Sequence, residues 1–172
     1  IFCQKGPLKE LPQFYYCKNM IADGKYKFFK YEFNSNDICD NSRMIFTHVA
    51  GHLYNIDFPD ECNDWFRTPY ETLFSVPLVT KPTKEFLKII DALKRLARTC
   101  QHLVIWTDCD REGENIGFEI INTCKRENSF IRVSRAKFSD LNERSIIMAC
   151  KNLQEPNINM SKAVEARQEL DM

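Results

Sequence analysis

No stretch of this 172-residue sequence approaches the roughly 20 consecutive apolar residues that a membrane span needs. Nothing near its start reads as a secretory signal peptide. The eight cysteines, at 3, 17, 39, 62, 100, 109, 124 and 150, include no C-x-x-C pair of the kind that holds zinc. Scattered thiols fit a reducing compartment, so a soluble chain of the nucleus or cytosol is expected. Charge of one sign is also missing. Twenty-four basic residues balance 24 acidic ones, without the basic excess that marks many free-standing nucleic-acid binders. There is no internal repeat and no low-complexity stretch. What remains is an ordinary globular composition, 44% hydrophobic and 28% charged, in a length that suits one compact domain. The first residue is Ile1, and the last apparent helix (161–170) is followed by no capping signal before Met172. The chain is therefore expected to be incomplete at both ends.

Residues 1–25 carry Gly6, Pro7, Pro12 and Gly24 with no sustained period and are left unassigned. Residues 26–33 are aromatic-rich and suit a strand, 34–42 are polar and turn-like, and 43–50 (RMIFTHVA) form a second strand ended by Gly51. Residues 55–81 hold Pro59, Pro69 and Pro77 and read as a long connection with short turns. The second half is clearer. Phe86, Ile89, Ile90, Leu93, Leu96 and Ala97 recur at helical spacing over 83–98. The continuous apolar run Leu103-Val104-Ile105-Trp106 predicts a strand buried on both faces of a parallel sheet. A helix over 112–124, a strand over 131–138, a helix over 141–152 and the final helix follow. This alternation predicts an α/β fold, a parallel sheet with helices on both faces.

The strongest chemical signal comes directly after the buried run: Asp108-Cys109-Asp110-Arg111-Glu112-Gly113-Glu114. In an open parallel sheet ligands collect where strands end and helices begin. Four carboxylates in such a short turn repel one another unless a cation or proton intervenes. Asp108 and Asp110 project the same way if the turn is extended, and Glu112, in the first helical turn, can face the same point. Hard oxygen ligands without His or Cys pairs favour magnesium or calcium over zinc. A plainer account is that acidic residues in a first turn complement the helix dipole. That covers one or two carboxylates better than four set around an Arg and a Gly. Asp108, Asp110, Glu112, Gly113 and Glu119 also come close to the calcium-loop pattern D-x-[DN]-x-[DN]-G-x5-E, departing at Glu112. An EF-hand, however, needs an amphipathic helix leading into the loop, and 103–106 is apolar and β-prone.

Residues 103–121, LVIWTDCDREGENIGFEII, closely resemble the Toprim signature of eukaryotic topoisomerase III, the alpha type in particular, within the type IA DNA topoisomerases. Residues 47–53 (THVAGHL) resemble that family's T-S-V-x-G-H-L, with His48 in place of the usual serine. Trp65, Pro69, Leu73 and Phe74 fit its W…P…LF segment. Residues 135–139 (RAKFS) resemble R-A-R-F-S, with Lys137 replacing an arginine, and 163–171 (AVEARQELD) resemble the helix leading out of the domain. The resemblance runs in order over 26–171. It implies a Rossmann-like Toprim domain over 26–153 and, over 154–172, the start of the next core domain.

The resemblance also assigns chemistry. Asp108, Asp110, Arg111 and Glu112 become the catalytic set. Asp108 and Asp110 are ligands of Mg2+, and Glu112 is a third ligand or binds through water. Arg111 contacts phosphate beside the metal or pairs with a neighbouring carboxylate. His52 supports the site or touches DNA, although a lone histidine is often structural. Arg167 faces the cleaved strand. In the whole enzyme a tyrosine attacks a phosphodiester of single-stranded DNA to form a 5′-phosphotyrosyl link, a second strand passes, and the ends rejoin without ATP. Magnesium orients the scissile phosphate and offsets its charge. The family implies work in DNA topology, recombination and repair in the nucleus, beside a RecQ-type helicase and an OB-fold partner. Two family features are missing. Neither Gln4-Lys5 nor Lys9-Glu10 follows a proper strand, as the glutamate and lysine of a first V-A-E-K-like strand would, and a gap in the sheet is expected there. None of Tyr15, Tyr16, Tyr26, Tyr31, Tyr54 and Tyr70 matches the nucleophile's motif. The alternative reading is a Toprim-containing nuclease or primase core.

Overall fold

Which residues alternate and which run continuously apolar decides how the two halves fold. The structure, a computed structural model, describes the backbone of residues 2–5, 21–22, 27–28, 30–35, 42–62, 64 and 66–172, and the side chains of 30–34 and of those from 42 onward. The first half supplies strands: β1 (Phe2–Lys5), β2 (Ile21–Ala22), β3 (Lys27–Phe28), β4 (Lys30–Ser35), β5 (Ser42–Thr47) and β6 (Tyr54–Asp57). A short helix α1 (Tyr70–Leu73) and β7 (Val79–Pro82) lead into the helical half. There α2 (Leu87–Thr99), β8 (His102–Ile105), α3 (Arg111–Glu127), β9 (Arg132–Arg135), α4 (Glu143–Lys151) and α5 (Ile158–Asp171) alternate as expected.

Five strands form one sheet in the order β4-β5-β1-β8-β9. The four residues of β8 are all buried, because alternate side chains face two different cores. Leu103 and Ile105 pack with Ile89, Leu93 and Ala97 of α2 and Ile120, Ile121 and Cys124 of α3. Val104 points the other way, into a smaller cluster with Met44 of β5, Ala136 and Ala149 of α4. Each fully buried aliphatic side chain here contributes about 1.5–3 kcal/mol, which is why a strand without one polar face sits at the centre. Cys100 and Cys124 are among these core residues, and burial pushes the Cys124 thiol up to about 12, out of reach of thiolate chemistry. Among the described residues no helix is long and apolar enough to cross a membrane.

The α/β alternation holds, and the parallel arrangement is local to one unit. β8 and β9 run parallel, joined by α3 as a crossover. The other adjacent pairs, β4–β5, β5–β1 and β1–β8, are antiparallel. A six-residue connection between β4 and β5 is too short for a crossover helix and can only make a reversal. The expected gap in the sheet is not present: β1, from the segment left unassigned, lies between β5 and β8. Its direction matters. Phe2 pairs with Leu103 and Cys3 with His102, so Gln4 and Lys5 run toward the amino end of β8, away from the acidic turn. Lys9-Glu10 lies outside the described residues, as do Trp65, Tyr15, Tyr16, Tyr26 and the middle of the 34–42 turn. The connection over 55–81 is more ordered than its prolines suggested. β6 and β7 form a two-stranded antiparallel ribbon, with Asp57 opposite Val79 at its connected end and Tyr54 opposite Pro82 at the other, and β2 pairs with β3 in another.

Candidate functional site

Where β8 ends, the chain turns directly into α3, and the turn is wound tightly. Asp110 is the N-cap: its Oδ1 accepts the Gly113 amide at 2.7 Å, satisfying one of the helix's orphan donors. The Thr107 hydroxyl donates to the Gly113 carbonyl at 2.7 Å. These ties bring Gly113 so close to the preceding backbone that a Cβ there would lie 2.1 Å from the Asp108 carbonyl oxygen. The glycine is required by that close approach and not by its dihedral angles. The Cys109 thiol donates to the Phe138 carbonyl at 3.1 Å and ties the turn to the segment after β9.

Beneath the turn lies a guanidinium with no exposed surface. Arg135, at the end of β9, donates through Nη2 to the carbonyls of Thr107 (2.8 Å) and Asp108 (2.7 Å) and through Nη1 to that of Ala136 (2.6 Å). Its Nε meets Glu114 Oε1 at 2.9 Å, with the two side chains 0% and 2% exposed. The other Glu114 oxygen accepts the Asn157 amide at 3.2 Å, at the head of α5. Glu114 is therefore the buried counter-ion of Arg135 and not one of the carboxylates facing solvent. The four-carboxylate turn presents three.

Of those three, Asp108 and Asp110 are exposed and line a cleft of about 450 Å³ with His48, Gly51, Trp106 and Glu112. Glu112 is already paired. One oxygen accepts from Arg167 Nη2 at 2.5 Å and the other lies 3.3 Å from His52 Nε2. The opposite ring nitrogen of His52 meets Glu119 Oε1 at 2.8 Å, and Glu119 Oε2 accepts the Leu53 amide at 2.6 Å. The hydrogen bond to Glu119 raises the imidazole pKa; burial opposes that, and the charges of Glu119 and Glu112 add to it. Arg167 also approaches Asp171 at 3.9 Å. Arg111 is exposed and makes no ion pair among the described residues.

The donor set suits a hydrated hard cation. Magnesium is commonly held by one or two carboxylates and keeps several waters. The Asp108 carboxylate has no protein partner among the described residues, and Asp110 has one oxygen beyond its cap bond. No three His, Cys, Asp or Glu side chains converge as a closed cage among the described residues. Two open carboxylates at a strand's end fit water-rich binding better than an all-protein cage. The calcium-loop alternative fails on geometry. A strand and not a helix leads into the turn, and the Glu119 carboxylate is spent on His52 and Leu53.

Asp108, Asp110, Arg111 and Glu112 thus lie in one turn, and His52 and Arg167 reach it through Glu112. Arg135, Glu114 and Glu119 were not singled out for the tasks they have. A helical signal for two of them existed. Glu119 is seven residues from Glu112 and shares its face, whereas Glu114, two residues on, must point to the other side.

Residues 27–141 match the Toprim domain family. The chain is 44% identical over 151 residues to DNA topoisomerase 3-alpha of Homo sapiens, covering 87% of this chain and 15% of that protein. It is 40% identical over 145 residues to DNA topoisomerase 3 of Schizosaccharomyces pombe, covering 84% of this chain and 23% of that one. Full-length topoisomerase I from Thermotoga maritima superposes with a TM-score of 0.48 at 31% identity, over 70% of this chain and 19% of that one. The chain thus spans less than a quarter of the length of these curated relatives.

Proposed function

This chain belongs to the Toprim domain family, and from that premise we propose that it supplies the Mg2+-binding part of a type IA DNA topoisomerase of the topoisomerase 3 kind. The observation that carries the reading is the acidic turn. It is held in shape from below by Arg135, and the Asp108 carboxylate and the second oxygen of the Asp110 cap face an open cleft.

In that reading the activity is ATP-independent cleavage, passage and rejoining of single DNA strands, in topological change, recombination and repair within the nucleus. Asp108 and Asp110 would hold Mg2+, with Glu112 reaching it through water because both of its oxygens already meet His52 and Arg167. When bound, the cation orients the scissile phosphate and offsets its charge, chiefly for rejoining. Arg111, exposed and without an ion pair among the described residues, contacts a phosphate oxygen. Arg167, 60% exposed on α5, keeps its Nη2 on Glu112 and offers its remaining N–H groups to the cleaved strand, with His52 Nε2 beside it. The nucleophilic tyrosine belongs to a different part of the enzyme. Among the described tyrosines, the Tyr54 hydroxyl is bonded to Thr123 at 2.9 Å and away from the turn. A RecQ-type helicase and an OB-fold protein enter as partners on family resemblance alone.

Titration calorimetry with MgCl2 tests the site. Asp108→Asn/Asp110→Asn keeps an acceptor at the N-cap and should abolish the heat with helicity unchanged; equal heats from both proteins would sink the assignment. Grafting residues 27–171 into the matching position of Schizosaccharomyces pombe topoisomerase 3 tests the reaction. Asp110→Asn in that graft should impair relaxation far more than single-stranded DNA binding, and Arg167→Ala should weaken formation of the covalent complex. Linear hydrolysis products, or primer synthesis, would instead favour the nuclease or primase core.

A further inference from the structure

A second cavity, of about 480 Å³, lies where the β6–β7 ribbon, α3 and α5 meet. α3 turns one face toward it, with Asn115, Glu119, Asn122 and Arg126 recurring at helical spacing. Asn115 is 3% exposed, and its side-chain amide has no hydrogen-bond partner among the described residues. The little surface it keeps is at the cavity wall. A carboxamide carries two donors and an acceptor, and buried polar groups in folded proteins are nearly always paired. This one is left for something that enters.

The remaining wall selects what can enter. Glu165 and Glu169, one turn apart on α5, are exposed and in no ion pair among the described residues. Glu165 meets only Ser161, at 3.5 Å. With Glu119 they set three carboxylates against one cation, Arg126, which is eleven residues or about 16 Å along α3 from Asn115. That balance repels phosphate. Nor do three His, Cys, Asp or Glu side chains converge as a metal cage among the described residues. Ile56, Leu78 and the Tyr54 ring supply apolar surface, and the Tyr54 hydroxyl is fixed on Thr123 at 2.9 Å. An organic cation with an apolar stem matches these surfaces: methylenes lie along aliphatic walls while the head keeps its charge partners. A planar guanidinium also stacks on an aromatic ring and donates in several directions at once, which a compact, strongly hydrated ammonium does not.

We propose that this cavity is a docking site for an arginine side chain presented by a partner polypeptide, with Glu165 and Glu169 as its counter-charges and Asn115 as the buried acceptor. The site uses none of the carboxylates of the acidic turn and does not rest on the topoisomerase reading.

The probe is N-acetyl-arginine amide, titrated at low salt into the full chain while the Asn115 side-chain amide is followed by NMR. Its resonances should shift and saturate in the millimolar range, and Glu165→Gln/Glu169→Gln should weaken binding by roughly tenfold. N-acetyl-citrulline amide, which keeps the shape and loses the charge, should give no saturating shift. Asn115→Leu removes the unpaired amide at similar volume, so its unfolding midpoint should be level or higher, with the calorimetric heat of the arginine probe lost. A midpoint lower by more than about 5 °C would show that Asn115 is already bonded within the fold, and would overturn the proposal. So would an Asn115 amide that does not saturate, equal binding of the citrulline probe, or an unchanged affinity in the double variant; the cavity would then hold water. Tighter binding of spermidine than of the arginine probe would make a small polyamine the occupant. A dimer at sedimentation equilibrium that the double variant dissolves would make it a second copy of this chain. Either result would overturn the partner polypeptide.

Discussion

Replacing Glu114 by glutamine should be among the most damaging single-atom changes in this domain. Arg135 and Glu114 are both buried, and their neighbours leave no room for adjustment. Nε of Arg135 donates to one carboxylate oxygen, and the Asn157 amide donates to the other. A glutamine has one oxygen and one NH2 group. Whichever way the amide is turned, its NH2 meets either the guanidinium or the Asn157 amide, and a donor faces a donor. One buried donor left unpaired costs about 1–3 kcal/mol, and the guanidinium also loses its counter-ion. Breaking a buried pair from one side costs about 3–5 kcal/mol in total. For a domain of this size each kcal/mol moves the unfolding midpoint by about 2–4 °C, so a fall of roughly 10 °C is expected by circular dichroism. Arg135→Met should cost at least as much, since it strips donors from the carbonyls of Thr107, Asp108 and Ala136. The double variant should lose clearly less than the sum of the two. A midpoint within about 2 °C of the parent for Glu114→Gln, or strictly additive losses, would refute the view of the pair as one unit.

Two further outcomes follow from the same core. Gly113→Ala would place a methyl 2.1 Å from the Asp108 carbonyl oxygen; it should cost about 1–3 kcal/mol as overpacking and weaken the MgCl2 heat with it, and an unchanged heat would contradict the tight turn. His102 in β8 is held down to about 4 from an ordinary 6.5 by burial, with Arg132 adding to the effect, so it is neutral in the fold and gains a proton on unfolding below that ordinary value. Stability should therefore be flat above about pH 7 and fall as pH drops toward 4, by roughly 3 kcal/mol at most. His102→Gln should remove that part of the slope, and a slope unchanged in the variant would rule the residue out.

The second half of the chain was legible because its signals are local. A four-residue apolar run can only be a strand covered on both faces, and the acidic cap with Gly113 behind it marks where α3 starts. The roles of Arg135 and Glu114 were hidden for the opposite reason. A lone arginine at a strand end reads as solvated, and only the parallel pairing of Ile105 with Arg135 brings its guanidinium under the turn. The β6–β7 ribbon was obscured by the prolines around it. Pro82 is tolerated because it sits on a two-stranded ribbon's edge, where its missing N–H breaks no central ladder. β1 had no local signal at all, since nothing in Phe-Cys-Gln-Lys specifies a partner about a hundred residues away.

That separation has a consequence for the order of assembly. β4 and β5 meet across a six-residue connection, and β8, α3 and β9 form one contiguous stretch of 34 residues. Either unit can close at small entropic cost, whereas bringing Phe2 to Leu103 means closing a loop nearly the length of a domain. The central strand of the sheet is thus expected to arrive last, as the piece that joins two preformed halves. The half it joins last already contains the whole acidic turn, so the carboxylates and their buried arginine acquire their geometry before the sheet is continuous.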